Sequence, residues 1–357
     1  MSTQACPNSD TPNPFMSPLV SILIPAYNAE KWIADTIRSA LGQTWPKKEI
    51  IIVDDGSTDQ TLAIARQFAS QEVCVFTQPN QGASAARKKA YSLCQGGYVQ
   101  WLDADDLLRA EKIARQMAVL ERLSSNRTLP SSGWGYFMYR LRKTVFCPSA
   151  LWCDLSPVEW QVRKMEQNLH MPLMTWLVSR ELCQAAGPWD TRLSLDDDGE
   201  YFCRVVLASD GIRFVPEAEV YYRRSGTSTM SAVDWSNKKL DSQALSMQLQ
   251  IAHLRAAEDS DRVRAACLTY LHNWLHCFYP ERMDIVGQLA QTAADLGGEL
   301  KEPRLPWKYV WIQKLFGWES AKRARILLPR LRLSLIRSWD KALFERENRN
   351  LASEPGT

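Results

Sequence analysis

No CxxC pair occurs among the nine cysteines of this sequence, and their number is odd. A disulfide framework requires paired, recurring spacings, so reduced thiols in a cytosolic compartment are the reading. Histidine is scarce, with four residues at 170, 253, 272 and 276 and no HExxH arrangement. His272 and His276 lie one helical turn apart, a spacing zinc can use, but no third ligand stands near them. No uncharged apolar window reaches the ~18 residues a membrane-crossing helix needs. Neither GxxxxGK[ST] nor a GxGxxG after the first strand is present, which excludes a glycine-rich phosphate cradle. The whole-chain formal charge of +3 is too small to assign a partner class, and its basic excess gathers near the C-terminus. Residues 1–18 hold four prolines among Asn, Ser, Thr and Asp, with no apolar core. They are expected to be a disordered tail rather than a signal peptide, and Met16 is an alternative start.

Short apolar runs alternate with amphipathic stretches through the next hundred residues. The run VSILIP at 20–25 reads as a buried strand, and Asn28 as the cap of a helix over 30–42. EIIIVDD at 49–55 is a second strand that ends in two carboxylates; GSTD turns the chain into another helix, which Asp59 caps. A third strand at 73–77, a helix at 82–93, a fourth strand at 98–102 and a helix at 108–123 follow. This alternation predicts a mostly parallel sheet with helices on both faces, whose ligands bind beyond the carboxyl ends of the strands. The sequence is less regular beyond 130. It predicts a strand at 135–141, helices near 158–167 and 179–186, a helix opened by DDDGE at 196–200, and strands at 213–216 and 219–223. From about 234 to the end the chain reads as helical.

Three carboxylate clusters stand out: Asp54 with Asp55, Asp103 with Asp105 and Asp106, and Asp196 with Asp197 and Asp198. Acidic groups brought near one another need counter-charge, and oxygen-only ligands favour Mg²⁺ or Mn²⁺ over zinc. An Asp-x-Asp at a strand end binds a cation with one carboxylate and a ribose hydroxyl with the other; the cation then neutralises a diphosphate leaving group.

Four motifs occur in order: PAYN at 25–28, VDDGSTD at 53–59, NQGASAAR at 80–87 and LDADD at 102–106. Over about 19–225 the chain resembles the family-2 glycosyltransferases of the GT-A fold. The resemblance implies an inverting transfer from a nucleotide-sugar donor, with a UDP-sugar favoured. It also implies roles by position. Pro25, Ala26 and Tyr27 line the nucleotide pocket, and Asp54 with Asp55 holds the base or ribose. Arg87 reaches the base or the phosphates, Asp103 touches the ribose and Asp105 is the main metal ligand, with Asp103 beside it. The family's Glu-Asp-x-Glu reads here as Asp197-Asp198-Gly199-Glu200 followed by Arg204; Asp198 is the first choice of general base and Asp197 the second. Lys88 stands where Asn often follows the arginine. YYRRSG at 221–226 lacks the family's histidine, so Arg223 and Arg224 become candidates for diphosphate contact, with Trp189 a candidate acceptor contact weighed against core packing.

The expected organisation is a tail at 1–18, a GT-A catalytic domain at 19–230 and a helical region at 235–350. Between 301 and 337, ten Lys and Arg face only Glu302 and Glu319, interleaved with Trp307, Trp311, Trp318 and a leucine run interrupted by Pro329. Two readings stay open for 301–337: peripheral contact with the inner face of a membrane, or a helical subdomain packed on the core. The acceptor is a glycan or a lipid-linked molecule in polysaccharide or envelope synthesis, the location is cytoplasmic, and no nucleic-acid reader motif is present. Rival readings are a sugar nucleotidyltransferase, which ordinarily shows a glycine-rich basic loop after the first strand, and a nucleotide-sugar-binding protein without turnover.

Overall fold

The structure, a computed structural model, describes residues 17–224, 236–303 and 306–353. Residues 1–16 of the tail expected at 1–18, the expected domain junction at 230–235 and the Ser-Gly end of the 221–226 motif lie outside the described residues. The strands are β1 Val20–Ala26, β2 Lys48–Asp54, β3 Val73–Thr77, β4 Tyr98–Trp101, β5 Leu107–Leu108, β6 Thr128–Phe137, β7 Val145–Phe146, β8 Val178–Ser179 and β9 Gly211–Arg223. The helices of the first part are α1 Ile33–Leu41, α2 Thr61–Arg66, α3 Ala83–Leu93, α4 Lys112–Leu123, α5 Pro157–Gln167, α6 Arg180–Ala186 and α7 Asp197–Ala208. Those of the C-terminal region are α8 Asn237–Ala257, α9 Asp261–Phe278, α10 Met283–Asp295 and α11 Trp307–Ser353.

One sheet runs β3-β2-β1-β4-β8, parallel except for β8. Every residue of β1 is buried, as a mainly apolar run predicts for a strand covered on both faces, and the buried Ser21 hydroxyl donates to Glu49 Oε1 at 2.6 Å. The register pairs Ala26 with Asp54 and Asp54 with Thr77, so three strands end level and deliver their following residues to one edge. A second sheet, β5-β9-β6-β7, is not anticipated by local patterning. The strand expected at 135–141 begins seven residues earlier, through Pro130 and Gly133, because parallel pairing with β9 overrides turn-forming composition. The two strands expected at 213–216 and 219–223 are one, β9, with the irregularity where residues 216–219 of β9 stand opposite Gly133 alone on β6.

Three local expectations are corrected. Helix α1 begins at Ile33, and Asn28 does not cap it. Asn28 instead adopts left-handed backbone (φ 48°), and its Oδ1 accepts a hydrogen bond from the Thr58 amide at 2.9 Å. Asp59 is not the N-cap of α2, a place held by Gln60. Its carboxylate accepts from the Thr61 amide at 2.9 Å and the Glu30 amide at 3.2 Å, so it ties the 56–61 turn to the 27–30 turn. The helix expected from 108 starts at Lys112, because Leu107 and Leu108 pair with β9.

A large core fills the space around the first sheet; Trp101, Trp176, Trp189, Tyr201 and Phe202 form its aromatic part. A second core joins α8, α9 and α10 to Val162 and Met165 of α5. The helical region is therefore seated on the sheet domain. Helix α11 is kinked at Gly317 (φ 80°) and continues through Pro329, which the sequence suggested would break the leucine run.

Gly56 has φ 72°, and a Cβ there would lie 2.8 Å from the Asn80 backbone nitrogen. This close approach joins the end of β2 to the loop that leads into α3. Gly56→Ala should cost about 1–3 kcal/mol through backbone strain and that clash. A thermal unfolding curve with an unchanged midpoint would show that the two loops separate freely.

Candidate active site

The site lies at the carboxyl ends of β1, β2 and β4; β4 stops opposite Leu23, and its following residues Leu102 and Asp103 continue to that edge. Pro25 and Ala26 are buried at the end of β1, and Tyr27 follows them onto the surface. Asp54, the last residue of β2, accepts from Thr77 Oγ1 at 3.0 Å through Oδ2, while its buried Oδ1 has no hydrogen-bond partner. Asp55 uses both oxygens on the next loop, accepting from Gln78 Nε2 (2.7 Å) and from the amides of Gln81 (3.0 Å) and Gly82 (2.8 Å). It thereby shapes the entry to α3.

The centre of the arrangement is Arg87 on α3, which is 5% exposed. Its Nη1 donates to Asp197 Oδ2 at 2.5 Å and its Nη2 to Asp103 Oδ1 at 2.9 Å, and the guanidinium lies 4.7 Å from the Trp189 ring centroid. Asp103 follows β4 and Asp197 opens α7, so one cation unites residues separated by 94 positions in the chain (197 minus 103). Burial disfavours the guanidinium charge, but Asp197, Asp103 and Asp198 outweigh that and raise its pKa. Both terminal nitrogens are engaged by carboxylates, while the buried Nε–H has no hydrogen-bond partner among the described residues.

Ser84, one helical turn before Arg87, donates to the same Asp197 oxygen at 2.7 Å. The sequence reading missed Ser84, although its i,i+3 spacing to Arg87 inside NQGASAAR places both on one face of α3. The turn at 103–106 is braced from behind. Arg223 donates from its amide to Asp106 Oδ1 (2.7 Å) and from Nε to the Asp105 carbonyl (2.8 Å). Its guanidinium packs over Trp32 at 4.3 Å and Phe137 at 4.6 Å. Thr36 Oγ1 donates to the Ala104 and Asp106 carbonyls, both at 3.0 Å. Burial, with the Asp105 and Asp103 charges, pushes the Asp106 carboxyl well above its ordinary range. Arg224 lies over the Tyr136 ring at 3.7 Å, on the second sheet. Trp189 is buried and stacks on Tyr201 at 4.0 Å, the core packing weighed against an acceptor contact.

The third carboxylate cluster is held by a helix that the sequence reading assigned no role. Ser242, Ser246 and Gln250 recur every four residues along α8 and are all buried. Ser242 Oγ accepts from the amides of Ser194 (2.8 Å) and Leu195 (2.9 Å). Ser246 Oγ and Gln250 Nε2 donate to Asp196 Oδ2 at 2.7 and 2.8 Å. Asp196 stands at the N-cap of α7 in left-handed backbone (φ 57°) without a capping side-chain bond, because its carboxylate turns toward α8. It passes across Gly199, where a Cβ would collide with Asp196 Oδ1. Asp198 accepts from the Gly199 amide at 2.9 Å. Its carboxyl is pushed up to about 7 by burial first, and then by Asp197 and Asp196, with Arg87 opposing. Glu200 pairs with Arg204 at 2.7 Å, and Arg204 Nη2 donates to the Pro188 carbonyl at 2.9 Å, so this pair locks α7 to the turn after α6. His272 and His276 turn Nδ1 to backbone carbonyls of their own helix.

Residues 21–166 match the sequence model of "Glycosyl transferase family 2". The chain carries a family-2 glycosyltransferase domain. It is 37% identical over 145 residues to a putative teichuronic acid biosynthesis glycosyltransferase of Bacillus subtilis, covering 38% of this chain and 56% of that protein. It is 41% identical over 104 residues to an Escherichia coli UDP-Glc:alpha-D-GlcNAc-diphosphoundecaprenol beta-1,3-glucosyltransferase, covering 29% and 41%. The chain spans about half the length of the curated relatives it matches. In fold the family-2 domain and its helical extension resemble S. aureus TarS 1-349, solved with UDP-GlcNAc (TM-score 0.62, 18% identity, 78% of this chain and 80% of that one). The architecture is of the GT-A type.

The raised Asp198 pKa has a definite sign for stability. The folded protein takes up a proton that the unfolded chain has released, so this contribution is fully present below pH 4 and is lost as pH rises through about 7. Asp198→Asn should therefore raise the melting temperature at pH 8 by about 4 °C and change it little at pH 4. Equal shifts at both pH values would mean that Asp198 titrates normally in the folded protein.

Proposed function

We propose that this protein is a metal-dependent, inverting glycosyltransferase that moves a sugar from a nucleotide-diphosphate donor, a UDP-sugar favoured, to an acceptor hydroxyl. Residues 19–230 would form the catalytic domain and 235–350 its helical extension. The observation that carries this reading is the convergence of Asp103 and Asp197 on buried Arg87, with a carboxyl of raised pKa, Asp198, next in the chain. The family-2 domain and the UDP-GlcNAc held by the structural relative support the donor class. Relatives named for teichuronic acid synthesis and for a diphosphoundecaprenol-linked acceptor support a glycan or lipid-linked acceptor. Such an acceptor fits a cytoplasmic protein working at the inner face of the membrane.

The donor set suits Mg²⁺ or Mn²⁺. Among the described residues no three His, Cys, Asp or Glu side chains gather into a metal cage. Asp105 and Asp103 present oxygen, and one or two carboxylates are what such a cation takes from a protein when substrate phosphates complete its shell. When bound, the cation supplies charge neutralisation on the departing diphosphate. Arg223 fixes the Asp105 backbone, and Arg87 fixes Asp103. Asp103 would hold the ribose, while Asp54, with one oxygen unpaired, would reach ribose or base beside the Pro25–Tyr27 edge. Asp198 would take the proton of the acceptor hydroxyl as that oxygen attacks the anomeric carbon and the carbon–diphosphate bond breaks. A base with a pKa near 7 is well matched to that transfer. Asp197, engaged by Arg87 and Ser84, would orient the helix end that carries it.

Calorimetric titration with UDP, GDP, CDP and dTDP, with and without Mn²⁺, should show metal-dependent binding of UDP alone. Asp105→Asn should lose the metal-dependent part. Asp198→Asn should keep donor binding and reduce transfer by about 10²–10⁴-fold. Unimpaired turnover in Asp198→Asn would remove its role as base. Donor binding with no transfer to any glycan or lipid-linked acceptor would favour a binding protein without turnover.

A further inference from the structure

Helix α11 presents its two faces to different surroundings. One face docks on the second sheet. Asp340 accepts from the Tyr139 amide (2.9 Å) and from Arg140 Nε (2.7 Å), and the Phe344 ring lies 6.0 Å from that of Tyr139. Tyr139 in turn meets Trp32 at 5.4 Å, and Trp32 underlies Arg223, which holds the Asp105 carbonyl. The opposite face is largely exposed among the described residues. Leu327, Leu331, Leu335 and Trp339 recur every four residues and are 52, 62, 73 and 70% exposed. At about 100° per residue they form one stripe, which exposed Arg323 continues one turn before Leu327 and exposed Arg332 flanks. Before the Gly317 kink, Trp307 and Trp311 repeat the spacing and are 87 and 56% exposed.

We propose that this stripe seats on an anionic lipid surface and fixes the donor-site domain there. An apolar stripe edged by arginines, with tryptophan at its ends, matches the interface of a bilayer: the rings and leucines enter the acyl boundary and the guanidiniums meet lipid phosphates. Charge decides between the possible coverings. Ten Lys and Arg against two acidic residues over 301–337 would repel across a pairing of two copies, whereas an anionic leaflet attracts each basic group by about 1 kcal/mol. The tie from Asp340 through Tyr139, Trp32 and Arg223 to Asp105 means that lipid contact also sets how the site faces the membrane. Lipid binding itself stands apart from the transferase reading, because it involves none of the donor-site residues.

The test is cosedimentation of the full chain with phosphatidylcholine vesicles and with vesicles containing phosphatidylglycerol, at low and high salt. The protein should partition onto the anionic vesicles at least tenfold better than onto the neutral ones, and the preference should shrink as salt rises. The Leu331→Glu/Leu335→Glu variant should lose at least tenfold of that partition while keeping wild-type circular dichroism and UDP affinity. Retained partition in a folded variant would overturn the proposal, as would equal partition onto both vesicle types. A wild-type dimer that the same variant converts to monomer, with vesicle binding unaffected, would assign the stripe to a second copy instead. Loss of UDP binding in the wild type would count against the donor site and leave the vesicle result standing.

Discussion

The ion-pair bridge through Arg87 is the constraint on which the site depends. Asp103, Asp197 and Asp198 gather in one pocket and repel; Asp197 is buried, whereas the Asp103 side chain is 33% exposed. A guanidinium offers two parallel edges of donors, so one side chain can hold two carboxylates at fixed separation. Arg87 does this between the turn after β4 and the start of α7. Removing one partner from such a bridge strands the others as unpaired buried charge, which is why the arrangement holds together or fails as a unit. The bridge does not neutralise the cluster completely: burial first, and then the Asp197 and Asp196 charges, push the Asp198 carboxyl up to about 7, with Arg87 opposing.

The bridge alone does not aim Asp198. The loop before α7 takes a left-handed step at Asp196, and that step is held by hydrogen bonds from α8. Serine and glutamine at buried helix positions are unfavourable unless partnered, and here their partners are the loop amides and the Asp196 carboxylate. The helical region therefore completes the site, and its second core ties it to α5.

Much of the first sheet was legible because buried parallel strands are mainly apolar runs, and β1, β2 and β4 are such runs that lead into the motif residues. Helix starts were read less well. Asn28 and Asp59 are good capping residues by type, yet both join neighbouring turns, since the 27–30 and 56–61 segments pack together and offer nearer amides. The second sheet was hidden because Pro130 and Gly133 look like turn formers, and only pairing with β9 makes a strand of them. In the site, the residue types and their order pointed to the acidic clusters, whereas Ser84, Thr36 and the polar stripe of α8 carry no motif of their own.

The sequence by itself determined the alternation of strand and helix, the placing of Asp54, Asp55, Asp103 and Asp105 at or just beyond strand ends, and the acidic opening of α7. These follow from local hydrophobic period and from residue chemistry, which need no partner to be read. Tertiary structure alone decided that Arg87 faces Asp103 and Asp197, that Arg223 braces the 103–106 turn, that Trp189 is interior and that α8 holds Asp196. Each of those outcomes depends on groups brought together from distant parts of the chain, and their burial and charge arise only once the surrounding elements exclude water.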